Sequence, residues 1–116
     1  SKAIMKIAAQ SQDRRMVVLD KNLLWLKALA SIPEALYVVY PRKDGTWGVE
    51  AVSTNLDEGF FKVRKPFPKT WGGKTDKELA DITGVKDAIF CHKVLFLCVT
   101  KTKEGALELA KKALDA

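Results

Sequence analysis

ALYVVYPRKDGTWGVEAV, residues 35–52, is the stretch on which the fold turns. ALYVVYP (35–41) is a continuous apolar run, the pattern of a strand covered on both faces. KDG (43–45) is a turn signal. TWGVEAV (46–52) returns as the second strand of a hairpin. The two-residue period of a strand then places Trp47, Val49 and Ala51 on one face. Arg42, Lys43 and Trp47 offer a small cation–aromatic patch beside the turn, although cross-strand packing accounts for Trp47 equally well.

Outward from this hairpin, short signals alternate. MVVLD (16–20) reads as a strand. Asp20 or Asn22 caps a helix whose stripe is Leu23, Leu26 and Ala30, and Pro33 ends it. Residues 2–12 place Ile4, Ile7 and Ala8 at helical spacing. FFKV (60–63) reads as a third, shorter strand. Thr75 and Glu78 have capping-box spacing at the head of a helix that runs to Thr83, with Gly84 as its stop. AIFC (88–91) and VLFLCV (94–99) are two more strands, the second central. Thr102 caps a last helix to Leu114, with Ala106, Leu107, Ala110, Ala113 and Leu114 inward and a Glu108–Lys112 pair outward. The order α-β-α-β-β-β-α-β-β-α predicts one α+β domain over residues 1–116: a mixed β-sheet with helices packed largely on one face.

Composition agrees. The chain has 116 residues, 47% apolar and 29% charged, which suits a single globular domain and not a disordered one. No apolar run approaches the roughly 18 residues of a membrane span, so no membrane partner is expected. SKAIMKIAAQ (1–10) is not a secretory signal, because Lys6 interrupts its short apolar stretch. The chain opens on Ser1, read as a cloning remnant, and is expected to be a piece of a longer protein. A net charge of +6 admits a nucleic-acid or phosphorylated partner where the cations cluster.

Chemistry is sparse. Cys91 and Cys98 read as buried, reduced thiols, with a disulfide open to them if their strands pair. The chain cannot supply four N/S ligands at zinc spacing, and no metal or other cofactor is expected on it. There is no DHH triplet, no HxD and no nucleophile–base set. Asp44, Asp57, Glu58, Asp76, Asp81 and Asp87 lie where turn and cap roles suffice. The chain alone is not expected to be catalytic.

The best cluster is RKPFPKTWGGKTDKELADITG (64–84). Pro66 and Pro68 hold the backbone extended around Phe67. Gly72 and Gly73 remove side chains, so that amides approach an anion, with Lys74 and a helix start adding positive potential. Phe67 and Trp71 offer faces for base stacking. The opposing reading is a loop pinned to the core by its rings, with solvated cations. A Gly-Gly pair before a helix is weak evidence, and this is no P-loop. His92, the single histidine, stands between two strands, either as a structural residue or as a donor to phosphate.

Four segments together resemble the C-terminal region of the MYG family, the melanocyte-proliferating-gene proteins. They are VVLDKNLLW (17–25), YVVYPRKDGTWGVEAV (37–52), RKPFPKTWGGKTDKELADITGVKDAIFCH (64–92) and EGALELAKKAL (104–114). The resemblance implies a hydrolase parent: a DHH-type phosphoesterase acting as a 3′-to-5′ RNA exonuclease with manganese or magnesium, in nucleus and mitochondrion. The metal motifs of that family belong to an N-terminal DHH domain, which this chain does not include. The implied role here is a non-catalytic companion domain that partners the DHH domain and holds RNA or another phosphorylated substrate. Arg64, Trp71, Gly73 and His92 fall on family motif positions. Lys65, Gly72 and Lys74 join them as binding candidates, Lys65 and Lys74 on charge alone. In KVLFLCVT (93–100), Phe96 is retained, but Cys98 and Val99 stand where the family has glycines. Their side chains occupy places where backbone would approach a phosphate. That departure raises the alternative of an interaction module that has lost substrate handling.

Overall fold

The computed structural model describes residues 13–21, 29, 32–54 and 62–116. The hairpin forms as its pattern predicts. Strand β2 (Tyr37–Pro41) runs antiparallel to β3 (Trp47–Ala51), from Tyr37 opposite Ala51 to Pro41 opposite Trp47. In the turn, the Asp44 carboxylate accepts from the Thr46 N–H (3.0 Å) and hydroxyl (2.5 Å), while Gly45 takes φ +89°. Those two bonds hold the Asp44 carboxyl below its usual range.

The hairpin seeds a mixed sheet of five strands among the described residues, in the order β1-β2-β3-β5-β4. Strand β1 (Met16–Val18) lies parallel to β2. Strand β5 (Leu97–Thr100) lies antiparallel to β3, and β4 (Ala88–Cys91) lies antiparallel to β5 at the far edge. β5 is therefore an interior strand, while β3 occupies the middle.

Side-chain alternation divides the apolar residues between two faces. Tyr37, Val39, Val49, Ala51, Cys91 and Cys98 build the main core. It is covered by helix α1 (Asp76–Thr83), through Leu79, and by helix α2 (Lys103–Asp115), through Ala106, Leu109, Ala110, Ala113 and Leu114. Both described α-helices thus pack on one face, as an α+β domain requires. On the other face, Val17, Leu19, Val38 and Val52 pack with Leu29 and Ala35. Burial on both faces explains why the first half of the hairpin is continuously apolar.

The head of α2 is capped twice. The Thr102 side chain accepts from the Gly105 N–H (3.1 Å). The Asp87 carboxylate accepts from the N–H (2.8 Å) and the hydroxyl (2.6 Å) of Thr102. Gly105 is required here, because a Cβ would overlap that carboxylate.

Several expectations change. Thr75 is the N-cap of α1, but its side chain makes no capping bond. Its backbone instead forms an antiparallel bridge with Phe90, which turns the residue to serve the sheet edge. Strand β5 begins at Leu97 and not at Val94, because Lys93–Phe96 are spent on the turn from β4. Leu109 is fully buried in α2, whereas Leu107 is only partly so. Of the expected strand 60–63, Val63 makes a single bridge to Ser53, and Phe60 and Phe61 lie outside the described residues. The helix expected over 2–12 also lies outside them, as does most of the one expected before Pro33. Trp47 is partly buried against the core, and the cation near its ring is Lys103, at 5.8 Å.

Candidate functional site

The 64–74 loop falls into two parts. In the first, charges and rings turn into the molecule. The Arg64 guanidinium donates through Nη1 to the carbonyls of Ile32 (2.6 Å) and Ala35 (2.7 Å). Its backbone N–H donates to Val52 O at 2.8 Å. Lys65 Nζ donates to the carbonyls of Leu114 (2.9 Å) and Ala116 (3.1 Å), satisfying the unpaired C-terminal end of α2. Phe67 and Trp71 are 1% and 5% exposed. Phe67 stacks on Tyr37 with ring centroids 5.0 Å apart, and on Trp71 at 5.9 Å. The ring faces are used inside the core. Pro68 then starts a single 3₁₀ turn, Lys69–Trp71.

In the second part, the backbone docks along the outer edge of β4. The Gly73 N–H donates to Cys91 O (2.9 Å), and the Cys91 N–H donates to Lys74 O (3.0 Å). Gly73 sits at φ +74°, where glycine alone is unstrained. A Cβ on Gly72 would stand 2.9 Å from the Leu95 side chain and 3.3 Å from Lys93 O. The two-glycine bend therefore lies directly on the β4–β5 turn. The Phe67 N–H ties the same turn from the other side, donating to Leu95 O at 3.0 Å.

That turn carries His92. Its Nδ1 accepts from the Val94 N–H at 3.1 Å, which leaves Nε2 as the donor of the neutral ring. The ring lies tilted against Phe96, centroids 4.7 Å apart. Leu95 holds φ +67°, an uncommon conformation for a bulky residue.

The seam brings together Gly72, Gly73, Lys74 and His92. Arg64, Lys65 and Trp71 do not join them: each is engaged elsewhere in the fold. The loop amides are also engaged. Gly72 N–H donates to Lys69 O (3.2 Å), Gly73 N–H to Cys91 O and Lys74 N–H to Trp71 O (3.1 Å). Any anion contact at the seam thus falls to side chains. Lys69 and Lys93 are exposed, and Lys74 reaches Glu78 at 4.0 Å in a solvated pair that stabilises little. Lys69 and Lys93 were not among the candidates. Lys93 follows His92 directly at a turn, which was the available signal.

Cys98 and Val99, where the resemblance implies glycines, lie inside β5, 0% and 2% exposed. Cys98 stands opposite Val49 and Cys91, and Val99 opposite Gly48 and Phe90. Burial, and then Cys91 beside it, pushes the Cys98 thiol up. On the other face, burial also raises the Glu50 carboxyl against the opposing effect of the Tyr40 hydroxyl, which donates to it at 2.9 Å. Among the described residues no three His, Cys, Asp or Glu side chains gather where an ion could sit. These residues do not fit a catalytic divalent metal.

The family model described as MYG1_exonuc, an uncharacterised protein family (UPF0160), matches residues 1–114. The chain belongs to the MYG1 family. It is 36% identical over 114 residues to the MYG1 protein of Schizosaccharomyces pombe, covering 91% of this chain and 34% of that one. It is 35% identical over 107 residues to the MYG1 protein of Dictyostelium discoideum, covering 86% of this chain and 32% of that one. With the human MYG1 exonuclease it shares 32% identity over 95 residues, 81% of this chain and 25% of the relative. The chain thus spans between a quarter and about a third of the length of these three relatives. No solved structure matches it.

Proposed function

We propose that this chain is the C-terminal, non-catalytic substrate-binding domain of a DHH-type phosphoesterase resembling a 3′-to-5′ RNA exonuclease. The observation that carries this reading is the seam between Gly72–Lys74 and the His92–Leu95 turn. There the backbone of Gly73 and Lys74 is hydrogen-bonded to Cys91, next to His92 and Lys93, and a Cβ built on Gly73 would lie 3.9 Å from Lys93 Cβ, so that Lys74, Lys93 and His92 belong to one sheet edge. Such a surface can hold a phosphate chain by charge and donate one hydrogen bond to it. The human and mouse relatives are named MYG1 exonuclease, which supports the nucleic-acid assignment. In this reading the cutting centre, with its manganese or magnesium, belongs to the N-terminal DHH domain, which docks beside this one. The parent protein acts in nucleus and mitochondrion.

A second reading, an interaction module without substrate handling, is favoured by two observations. The Gly72, Gly73 and Lys74 amides are used internally, and the side chains of Cys98 and Val99 are buried inside β5.

Titration of a short single-stranded RNA at low and moderate salt separates the two. Binding that is weak, falls with salt and loses about one unit of salt slope in Lys93→Ala supports a substrate-holding surface. His92→Ala should weaken it further. Absence of binding at low salt, both by this chain and by a longer chain that includes the DHH domain, would overturn the proposal in favour of the interaction module.

A further inference from the structure

We propose that Cys91 and Cys98 are a redox-active dithiol whose reversible cross-strand disulfide adjusts the Gly72–Lys74 seam. The strands place the two residues directly opposite each other. The His92 N–H donates to Leu97 O (2.8 Å) one position further on, while the N–H and C=O of Cys91 point outward to Lys74 and Gly73. Cys91 and Cys98 are therefore a non-hydrogen-bonded pair, in which Cα atoms approach to about 4.5 Å. That spacing lies at the short end of the range that a disulfide spans, so a bridge is within reach but strained. Strained bridges are the readily reduced ones, which suits a switch and not a permanent staple.

Both thiols are free and face the main core. The Tyr37 hydroxyl, buried and without a hydrogen-bond partner among the described residues, belongs to the same region. Burial, first, and then Cys98 and Cys91 push the pKa of that hydroxyl up. Polar hydrogens from three side chains thus share a small part of an otherwise apolar core.

Cys91 also links the pair to the surface. Both of its backbone groups bond to the two-glycine segment, and its Sγ donates to His92 O at 3.7 Å. Strain in a bridge displaces Cys91, and its backbone bonds pass that displacement to Gly73 and Lys74.

With hydrogen peroxide the step balances. The Cys91 thiolate attacks one peroxide oxygen, the O–O bond breaks, and the departing hydroxide takes up the thiol proton as water. The Cys98 sulfur attacks the resulting sulfenic sulfur as its proton passes to the departing oxygen, the S–O bond breaks, and a second water leaves. Two thiols are oxidised to one disulfide and one peroxide is reduced to two waters. A dithiol such as dithiothreitol returns both electrons.

The formation of the bridge stands independently of the RNA reading, and only its consequence for binding rests on that reading. The test is to treat the folded chain with a slight excess of hydrogen peroxide, alkylate it under denaturing conditions and measure the intact mass. Loss of both alkylatable thiols, with a mass lower by two hydrogens and restored by dithiothreitol, is the expected result. Cys91→Ser and Cys98→Ser should lose that product, and the wild-type mass decides the matter even if either variant fails to fold. Hydrogen exchange at the Gly73 amide should rise on oxidation and fall back on reduction. Two thiols that stay alkylatable, oxygen adducts alone, or disulfide-linked dimers would overturn the bridge. Unchanged exchange at Gly73 in the bridged chain would overturn its link to the seam. None of these readouts uses nucleic acid, so their failure and that of RNA binding are told apart.

Discussion

Arg64 and Lys74 belong to one loop and carry the same charge, but their cations meet different surroundings. The Arg64 guanidinium is held by the carbonyls of Ile32, which also accepts from the Ala35 N–H, and of Ala35. The Lys74 ammonium has an exposed carboxylate at 4.0 Å and solvent. The same division runs through the rest of the loop. Phe67 and Trp71 stack inside the core, while Gly72 and Gly73 lie along a sheet edge. One continuous motif therefore does two jobs. Its first part locks the loop into the fold, and its second part forms the surface at which binding is proposed. Residues that read alike in the sequence differ because only some of them face an unsatisfied polar group or an apolar cavity.

The sharpest test of this division is Phe67→Ala. It removes the middle ring of the Tyr37–Phe67–Trp71 stack and should cost about 3–5 kcal/mol in chemical denaturation. A loss near zero would mean that the ring is not a core anchor. Next comes Arg64→Ala, which takes this donor from the Ala35 carbonyl and one of two donors from the Ile32 carbonyl, and should cost about 1–3 kcal/mol. If it instead weakens RNA binding at unchanged stability, the inward half of the loop is functional and the division fails. Gly73→Ala follows. Forcing a Cβ at φ +74° should cost about 1 kcal/mol, read from the unfolding midpoint. The smallest change belongs to Lys74→Ala. Its stability should move by less than about 0.5 kcal/mol, while its affinity for RNA at low salt should fall. A large stability loss there would place Lys74 with Arg64 and erase the contrast.

A separate prediction concerns Glu50. Its folded-state carboxyl titrates above the ordinary range, chiefly because it is buried. The folded chain then holds this proton more tightly than the unfolded one. Stability falls as pH rises from the ordinary carboxylate range through the folded-state value. Glu50→Gln keeps an acceptor for the Tyr40 hydroxyl and should flatten that fall, which thermal melts across acid to neutral pH would reveal. An unchanged slope would show that Glu50 is better solvated than its burial implies.

Much of the fold was legible because it rests on local rules. The hairpin, the stop at Gly84 and the Thr102 cap each follow from residue type and spacing within a few positions. Where a distant partner competed, the local rule lost. Thr75 has capping-box spacing, but β4 recruits its backbone. The apolar run from Val94 looked like strand, but joining two antiparallel strands consumed its first residues. The candidate site was less legible for the same reason. Arg64, Lys65 and Trp71 were chosen on charge, ring and motif position, and none of these says which way a side chain turns.

By itself, the sequence determined the α+β class, the hairpin, the two strands and two helices that follow residue 75, and a chain with neither a nucleophile–base set nor zinc spacing. These depend on pattern, and pattern is local. Tertiary structure alone decided which cations are spent on backbone carbonyls. It decided that the loop amides are internally bonded and that Cys91 stands opposite Cys98. Those outcomes depend on register and on groups brought together from up to 51 residues away, as in the bond from Lys65 to Ala116. No local pattern encodes where such a partner will be unsatisfied.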